Sequence, residues 1–245
     1  MSFGTRLRAL AKRLLPRALL LPAARLEQRW NAARFVNRQR GLTDYRVNFD
    51  YRNLRKAKAV ILWHDDWEKA TAATLDIVDT LGLVHAGDTV IDYGCGIGRM
   101  TRALSERHAV TIIAVDRSAA MRDHARAYLE AALRGGMVQL LSDLDLLERT
   151  PQLRARISCI LMIEVLQHIP EPVLEGLLPQ LAALLAPNGR LLVFGSDVLD
   201  VDRAGRPGSP IEPVLARLLR IERRDRWTTG FVHPRHSFVC SQRNI

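Results

Sequence analysis

Beyond residue 60 the chain alternates between two hydrophobic periods. Short apolar runs suit strands buried on both faces: Thr89–Asp92, Thr111–Asp116, Val138–Ser142, Ile157–Met162 and Arg190–Phe194. Between and around them, apolar residues return every three or four positions. The helices predicted there run from Trp63 to about Leu81, Arg99 to about Arg107, Ser118 to Leu133, Pro172 to Leu185 and Glu212 to Arg220. The punctuation agrees with this reading. Asp65 or Asp66 can cap the first helix and Gly82 falls near its end. Gly135-Gly136 closes the third and Pro187-Asn188-Gly189 the fourth. Two more strands, Ile221–Trp227 and Ser237–Ser241, follow with a short connection, which predicts an antiparallel hairpin. The expected fold is α/β: a doubly wound, mostly parallel seven-stranded sheet with an antiparallel C-terminal hairpin.

The first sixty residues follow another rule. Placed at roughly 100° per residue, Leu7, Leu10, Ala11, Leu14, Leu15 and Ala18 fall on one face, with Arg6, Arg8, Lys12, Arg13 and Arg17 on the other. This predicts a basic amphipathic helix, interrupted at Pro16 and Pro22. Residues 1–60 therefore read as a basic helical extension and 61–245 as the main domain. The charge supports that division. The extension holds 15 Lys/Arg against 3 Asp/Glu, so it carries the whole formal excess of +10 and the remainder is slightly acidic. The high isoelectric point is thus no argument that the main domain binds nucleic acid. For residues 1–40, peripheral contact with an anionic membrane, packing on a protein surface and a transit peptide all stay open.

A length of 245 residues with 48% hydrophobic content allows one α/β domain plus an extension. The three cysteines, Cys95, Cys159 and Cys240, form no CxxC pair and no zinc spacing with histidine, so neither a disulfide framework nor a metal is expected. No uninterrupted apolar run is long enough for a membrane span. A reducing, cytoplasmic location follows, with attachment to a membrane surface left open by the extension.

The most informative stretch is Val90-Ile91-Asp92-Tyr93-Gly94-Cys95-Gly96-Ile97-Gly98-Arg99-Met100. A strand that turns sharply into a helix needs residues without a Cβ where a ligand approaches the backbone. The spacing is GxGxG, not the GxGxxG of dinucleotide loops, because Arg99 fills the last place of that pattern. Asp116 ends the next strand, where a carboxylate can accept both hydroxyls of a ribose. Asp143 follows the third strand, placed either to accept from an adenine amino group or to serve a helix start with Ser142. In a sheet of this kind the ligand lies beyond the carboxyl ends of the strands, where these acids fall.

Together these residues resemble the class I S-adenosylmethionine-dependent methyltransferases over about residues 60–245. "VIDYGCGIGRM" is similar to that family's first motif, and "AVDRSAAM" looks like its ribose-binding segment. "MIEVLQHIPEP" resembles the segment after strand four in the branch acting on quinones, sugars and natural products, and "NGRLLVF" the fifth strand. The resemblance implies S-adenosyl-L-methionine as cofactor. It implies that Asp92 and the backbone of Gly94, Cys95, Gly96 and Gly98 hold the methionine part, and that Asp116 binds the ribose. Arg117 and Met121 would flank the adenine, Asp143 and the Leu144 amide would read its edge, and Met162 to Glu164 would pass beneath the sulfonium. Ser158 departs from the family pattern, which often has an acid at the start of strand four.

A hydroxyl acceptor needs a general base. His168, just after strand four, is the candidate, against the reading that it only orders its loop. Trp63, His64, Trp67, His233 and His236 are candidates for contacting the acceptor, with core packing and a polar hairpin loop as their alternatives. The expected reaction is methyl transfer by in-line displacement to a small molecule or saccharide, lipid-linked if the extension reaches a membrane. An RNA or protein methyltransferase and a non-catalytic cofactor-binding scaffold are the competing readings. Nucleic acid is disfavoured, since the Asn/Asp-Pro-Pro-Tyr/Phe string of base- and glutamine-methylating enzymes is absent after strand four, where Ile163-Glu164-Val165-Leu166 stands.

Overall fold

The computed structural model describes residues 67–199, 210–228, 231 and 234–243. The expectations for the extension, for Trp63 and His64 and for His233 lie outside the described residues. Among the described residues the elements run α1 (Trp67–Thr80), β1 (Thr89–Tyr93), α2 (Arg99–Arg107), β2 (Thr111–Val115), α3 (Ala119–Tyr128), α4 (Glu130–Arg134), β3 (Val138–Leu141), α5 (Asp143–Leu153) and β4 (Ile157–Ile163). A short 3-10 turn (Leu166–His168) follows, then α6 (Glu171–Ala182), β5 (Leu185–Gly195), α7 (Glu212–Leu218), β6 (Arg220–Trp227) and β7 (Arg235–Ser241). No helix among them is long and apolar enough to cross a membrane.

The strands form one seven-stranded sheet in the order β3-β2-β1-β4-β5-β7-β6. Pairs from β3 to β5 are parallel, and β7 is antiparallel to both β5 and β6. The winding runs outward from β1 to β3, then restarts on the other side of β1 with β4. The switch point therefore lies between β1 and β4, where ligands bind in open α/β sheets.

Alternate strand residues point to opposite faces, which is why the strands read as continuous apolar runs. Ile91, Ile113, Val115, Ile160, Met162, Leu191 and Val193 belong to one buried cluster, with Leu146 of α5, Leu174 and Leu178 of α6 and Leu215 of α7. Val90, Ile112, Ala114, Leu161, Ile163, Leu192 and Phe194 belong to the other, with Leu75 and Val78 of α1, Met100 and Leu104 of α2 and Ala125 of α3. Each fully buried aliphatic side chain contributes roughly 1.5–3 kcal/mol relative to exposure.

Three local expectations are corrected. The helix over 118–133 is two helices, because Leu129 leaves helical geometry at φ −101, ψ 11. The helix before strand five ends at Ala182, and Pro187-Asn188-Gly189 lies inside β5. A register shift between Ile157 and Cys159 accommodates it. A Cβ at Gly189 would come 2.6 Å from the Ile157 carbonyl oxygen, so the bulge needs glycine there. Finally, Arg235 and His236 are the first residues of β7, not part of the connecting loop, because the register with β5 continues to His236 and that with β6 to Arg235.

Candidate functional site

The turn from β1 into α2 is built by three left-handed glycines, Gly94, Gly96 and Gly98, with φ of +77°, +58° and +85°. The Gly94 and Cys95 N–H groups donate to the Val115 carbonyl at 2.7 and 2.9 Å, which ties the loop to the end of β2. Gly98 then opens α2. The Cys95 thiol is buried, and burial pushes its pKa well up, so it stays an uncharged packing group.

Asp116 follows β2 and faces this loop. Its Oδ2 accepts from the Gly96 N–H at 2.8 Å and its Oδ1 from the Ser118 N–H at 2.9 Å. Burial raises its pKa against these two bonds. Arg122 donates to the carbonyls of Asp116 and Arg117 at 2.7 and 2.8 Å and so holds the turn that presents the carboxylate. Ser118 caps α3 by accepting from Met121 N–H, and the Met121 side chain is buried.

Asp143 is the first residue of α5, and the cap is its neighbour. Ser142 Oγ accepts from the Asp145 N–H at 3.1 Å while Asp145 Oδ2 accepts from the Ser142 N–H at 2.8 Å. This capping box leaves the Asp143 carboxylate to Arg117, whose Nε donates to it at 2.8 Å. The pair joins the ends of β2 and β3 beside Asp116. Leu144 next to it is exposed.

Asp92 lies beneath the loop, fully buried, with Thr101 Oγ1 donating to its Oδ2 at 2.6 Å. Burial pushes its pKa up to about 6, against that bond and the charge of Arg99. Arg99 is itself buried and donates from Nη1 to Thr71 Oγ1 of α1 at 2.9 Å. Burial lowers its pKa, while Glu164 and Asp92 favour its charge.

The Asp92 shift has a definite sign. A carboxyl whose folded pKa lies above its unfolded 3.8 makes the folded state bind more protons than the unfolded one in between. Its contribution to stability is largest below 3.8 and is lost as pH rises through about 6. Asp92→Asn should remove that sloping part of the stability profile, on the order of a few kcal/mol between these limits. Urea unfolding of both proteins at pH 4, 5, 6 and 7 checks this; parallel profiles would contradict it.

A second group of charges gathers at the edge where β4 and β5 end and β7 begins. Glu164 has φ +57°, a left-handed conformation that costs a non-glycine residue about 1 kcal/mol or more and marks sites where geometry is imposed. Its N–H donates to the Phe194 carbonyl at 2.7 Å. Its Oε2 accepts from Gln167 Nε2 at 3.0 Å and its Oε1 is ion-paired with Arg235. The carboxylate passes over Gly195, where a Cβ would stand 3.0 Å from Oε2. Met162, two residues earlier, is wholly buried in the sheet.

His168 closes the 3-10 turn, half-buried, with Nε2 3.4 Å from Gln167 Nε2. His236 pairs with Gly195 across the sheet and sets Nε2 3.5 Å from Asp197 Oδ2. Trp67 opens α1, and its side chain lies outside the described residues. Two arginines of the site, Arg99 and Arg235, were not among the sequence candidates. Arg99 adjoins the glycine motif, which was its one local signal. Arg235 has none, because only the register of β7 on β5 brings it to Glu164.

A family model described as a methyltransferase domain matches residues 62–245. No curated protein matches the sequence. Solved structures with the same fold include an S-adenosylmethionine-dependent methyltransferase from Leishmania major, at 16% identity, 80% of this chain, 80% of that chain and TM-score 0.57. Magnesium protoporphyrin IX methyltransferase from Synechocystis with bound S-adenosylhomocysteine is 18% identical, over 82% of this chain and 100% of that one, TM-score 0.54. A geranyl diphosphate methyltransferase in complex with S-adenosylmethionine is 16% identical, over 70% of this chain and 85% of that one, TM-score 0.53.

Proposed function

The chain belongs to the methyltransferase-domain family, and we propose that this S-adenosylmethionine-dependent enzyme methylates a small molecule or a saccharide. The observation that carries the cofactor side is the latch between loop and acid, Gly96 N–H to Asp116 Oδ2 at 2.8 Å. It sets three left-handed glycines and a carboxylate against one another at the switch point, where a nucleoside and an amino-acid moiety need backbone approach and a hydroxyl acceptor.

The residues present suit that group chemically. Asp116 would accept from the ribose hydroxyls. Arg117 and Met121 would flank the adenine, and Asp143 with the Leu144 amide would read its amino edge, Arg117 holding the Asp143 carboxylate in place. Asp92 and the backbone of Gly94, Cys95, Gly96 and Gly98 would hold the methionine part, with Glu164 at the reactive end. When bound, the cofactor supplies an activated methyl group. The chain has to align the acceptor and exclude water. His168 is the group proposed to take a proton at its ring nitrogen from a hydroxyl acceptor. Residues 61–245 form the catalytic domain in this reading, with residues 1–60 as a separate basic extension. By name, two of the similar structures act on geranyl diphosphate and magnesium protoporphyrin IX, both small molecules, which supports that acceptor class.

Calorimetric titration of the full chain with S-adenosylmethionine and S-adenosylhomocysteine tests the cofactor site, and micromolar binding is expected. Release of S-adenosylhomocysteine is then measured with glycans, lipid-linked sugars and small phenols as acceptors, and with His168→Ala at several pH values. A folded protein that binds neither cofactor form would sink the enzymatic reading. Turnover only with RNA or protein would replace the acceptor class.

A further inference from the structure

We propose that Arg235 is the anchor of an anion subsite for the acceptor, and that Glu164 occupies its guanidinium until a carboxylate or phosphate group of the acceptor replaces it. This deepens, and rests on, the methyltransferase reading of the same sheet edge.

Placement is the first support. β7 runs antiparallel to β5, so its first residues lie at the carboxyl end of β5, with Gly195 opposite His236. Arg235 is one residue further out. It therefore stands beyond the same edge as the end of β4, on the side of the switch point away from Asp116 and Asp143. A ligand seated on the glycine loop would present its reactive end toward this side if its adenine lies near Asp143.

The second support is how the guanidinium is held. Its partner is a carboxylate of this chain on a residue in a strained backbone conformation, passing over Gly195, whose φ of +154° few L residues adopt. Arg235 Nε is buried and lies against Glu164 Oε1. An arginine offers five donors in a planar fork suited to carboxylate and phosphate. Gln167 gives the displaced Glu164 carboxylate another partner, since its Nε2 already donates to Oε2 at 3.0 Å.

The surroundings of Glu164 are the third support. Arg99 and Arg235 both act on Glu164, and Arg99 is buried with Thr71 as its hydrogen-bond partner. Glu164 thus answers two guanidiniums, so a second anion at Arg235 does not leave the Glu164 carboxylate without a cation.

The test uses the full chain saturated with S-adenosylhomocysteine. Inorganic phosphate and propionate are titrated separately by calorimetry, so the two arms tell phosphate from carboxylate acceptors. At least one anion should bind, and Arg235→Leu should weaken it by about tenfold or more, with Arg235→Lys intermediate. Glu164→Gln should tighten the anion several-fold, because the internal competitor is gone; a purely structural ion pair would not produce that gain. The double variant should bind no better than Arg235→Leu. Far-UV circular dichroism and cooperative thermal unfolding show that the variants are folded, and the Glu164→Gln arm stands if Arg235→Leu does not fold. Absence of anion binding by the loaded protein overturns the proposal. So does binding unchanged by Arg235→Leu, as expected of the basic extension alone, or weakened by Glu164→Gln. Failure to bind S-adenosylhomocysteine would instead strike the methyltransferase reading itself.

Discussion

Asp116→Ala should weaken S-adenosylhomocysteine binding by at least about a hundredfold, the largest effect on ligand affinity expected of any single substitution here. The carboxylate has two tasks. It would accept from the ribose hydroxyls, and its oxygens already accept from the N–H groups of Gly96 and Ser118 at 2.8 and 2.9 Å. Hydrogen bonds to a charged group are worth roughly 1.5–3 kcal/mol each, and about 1.4 kcal/mol is tenfold in affinity. Losing the ribose contacts alone accounts for the hundredfold. Losing the Gly96 latch also leaves a buried N–H without a partner and frees the loop that the ligand needs in one conformation. Asp116→Asn separates the two tasks. Its side-chain oxygen can still accept one of the N–H bonds, so the loop should hold while the charge is lost, and affinity should fall between wild type and alanine. Calorimetry on all three proteins measures this. Alanine binding within a few-fold of wild type would remove Asp116 from the cofactor site.

Gly94→Ala should lower the unfolding temperature by roughly 5–15 °C, the largest effect on stability. Two costs act together. The residue sits at φ +77°, where an L side chain costs roughly 1–2 kcal/mol. The new Cβ would also stand 2.4 Å from Val165 Cγ2, an overlap that has to be relieved by movement of the backbone or of Val165, at a further 1–3 kcal/mol, approximately. Val165 follows Glu164, so such movement would also disturb the turn that sets Glu164 against Arg235. Combining Gly94→Ala with Val165→Ala should recover the steric part and leave the backbone part. A double variant no more stable than Gly94→Ala would show that the overlap is not the cause. Calorimetric scans of the three variants decide it.

The glycine loop was legible because its chemistry is local. Gly94, Gly96 and Gly98 are close in sequence, and a strand-to-helix turn demands their backbone freedom whatever lies elsewhere. Asp116 was legible for a related reason: it ends the apolar run that becomes β2, and the winding rule places that end beside β1. Asp143 was only half legible. A residue at the start of α5 can be cap or ligand from sequence alone, and the Ser142–Asp145 capping box together with Arg117 shows which neighbour serves as the cap.

By itself, then, the sequence determined the alternation of strands and helices, the parallel sheet covered on both faces, and the composition of the loop at its switch point. Those features follow from periodicity and from backbone limits that act within a few residues. The tertiary structure alone decided the bulge that takes Pro187-Asn188-Gly189 into β5, the burial of Arg99 between Thr71 and the acids, and the pairing of Glu164 with Arg235 over Gly195. Each depends on which residue of one strand stands opposite which residue of another. Hydrophobic periodicity says which face of a strand is buried, but not its register against a strand distant in sequence, and charges meet only after that register is set.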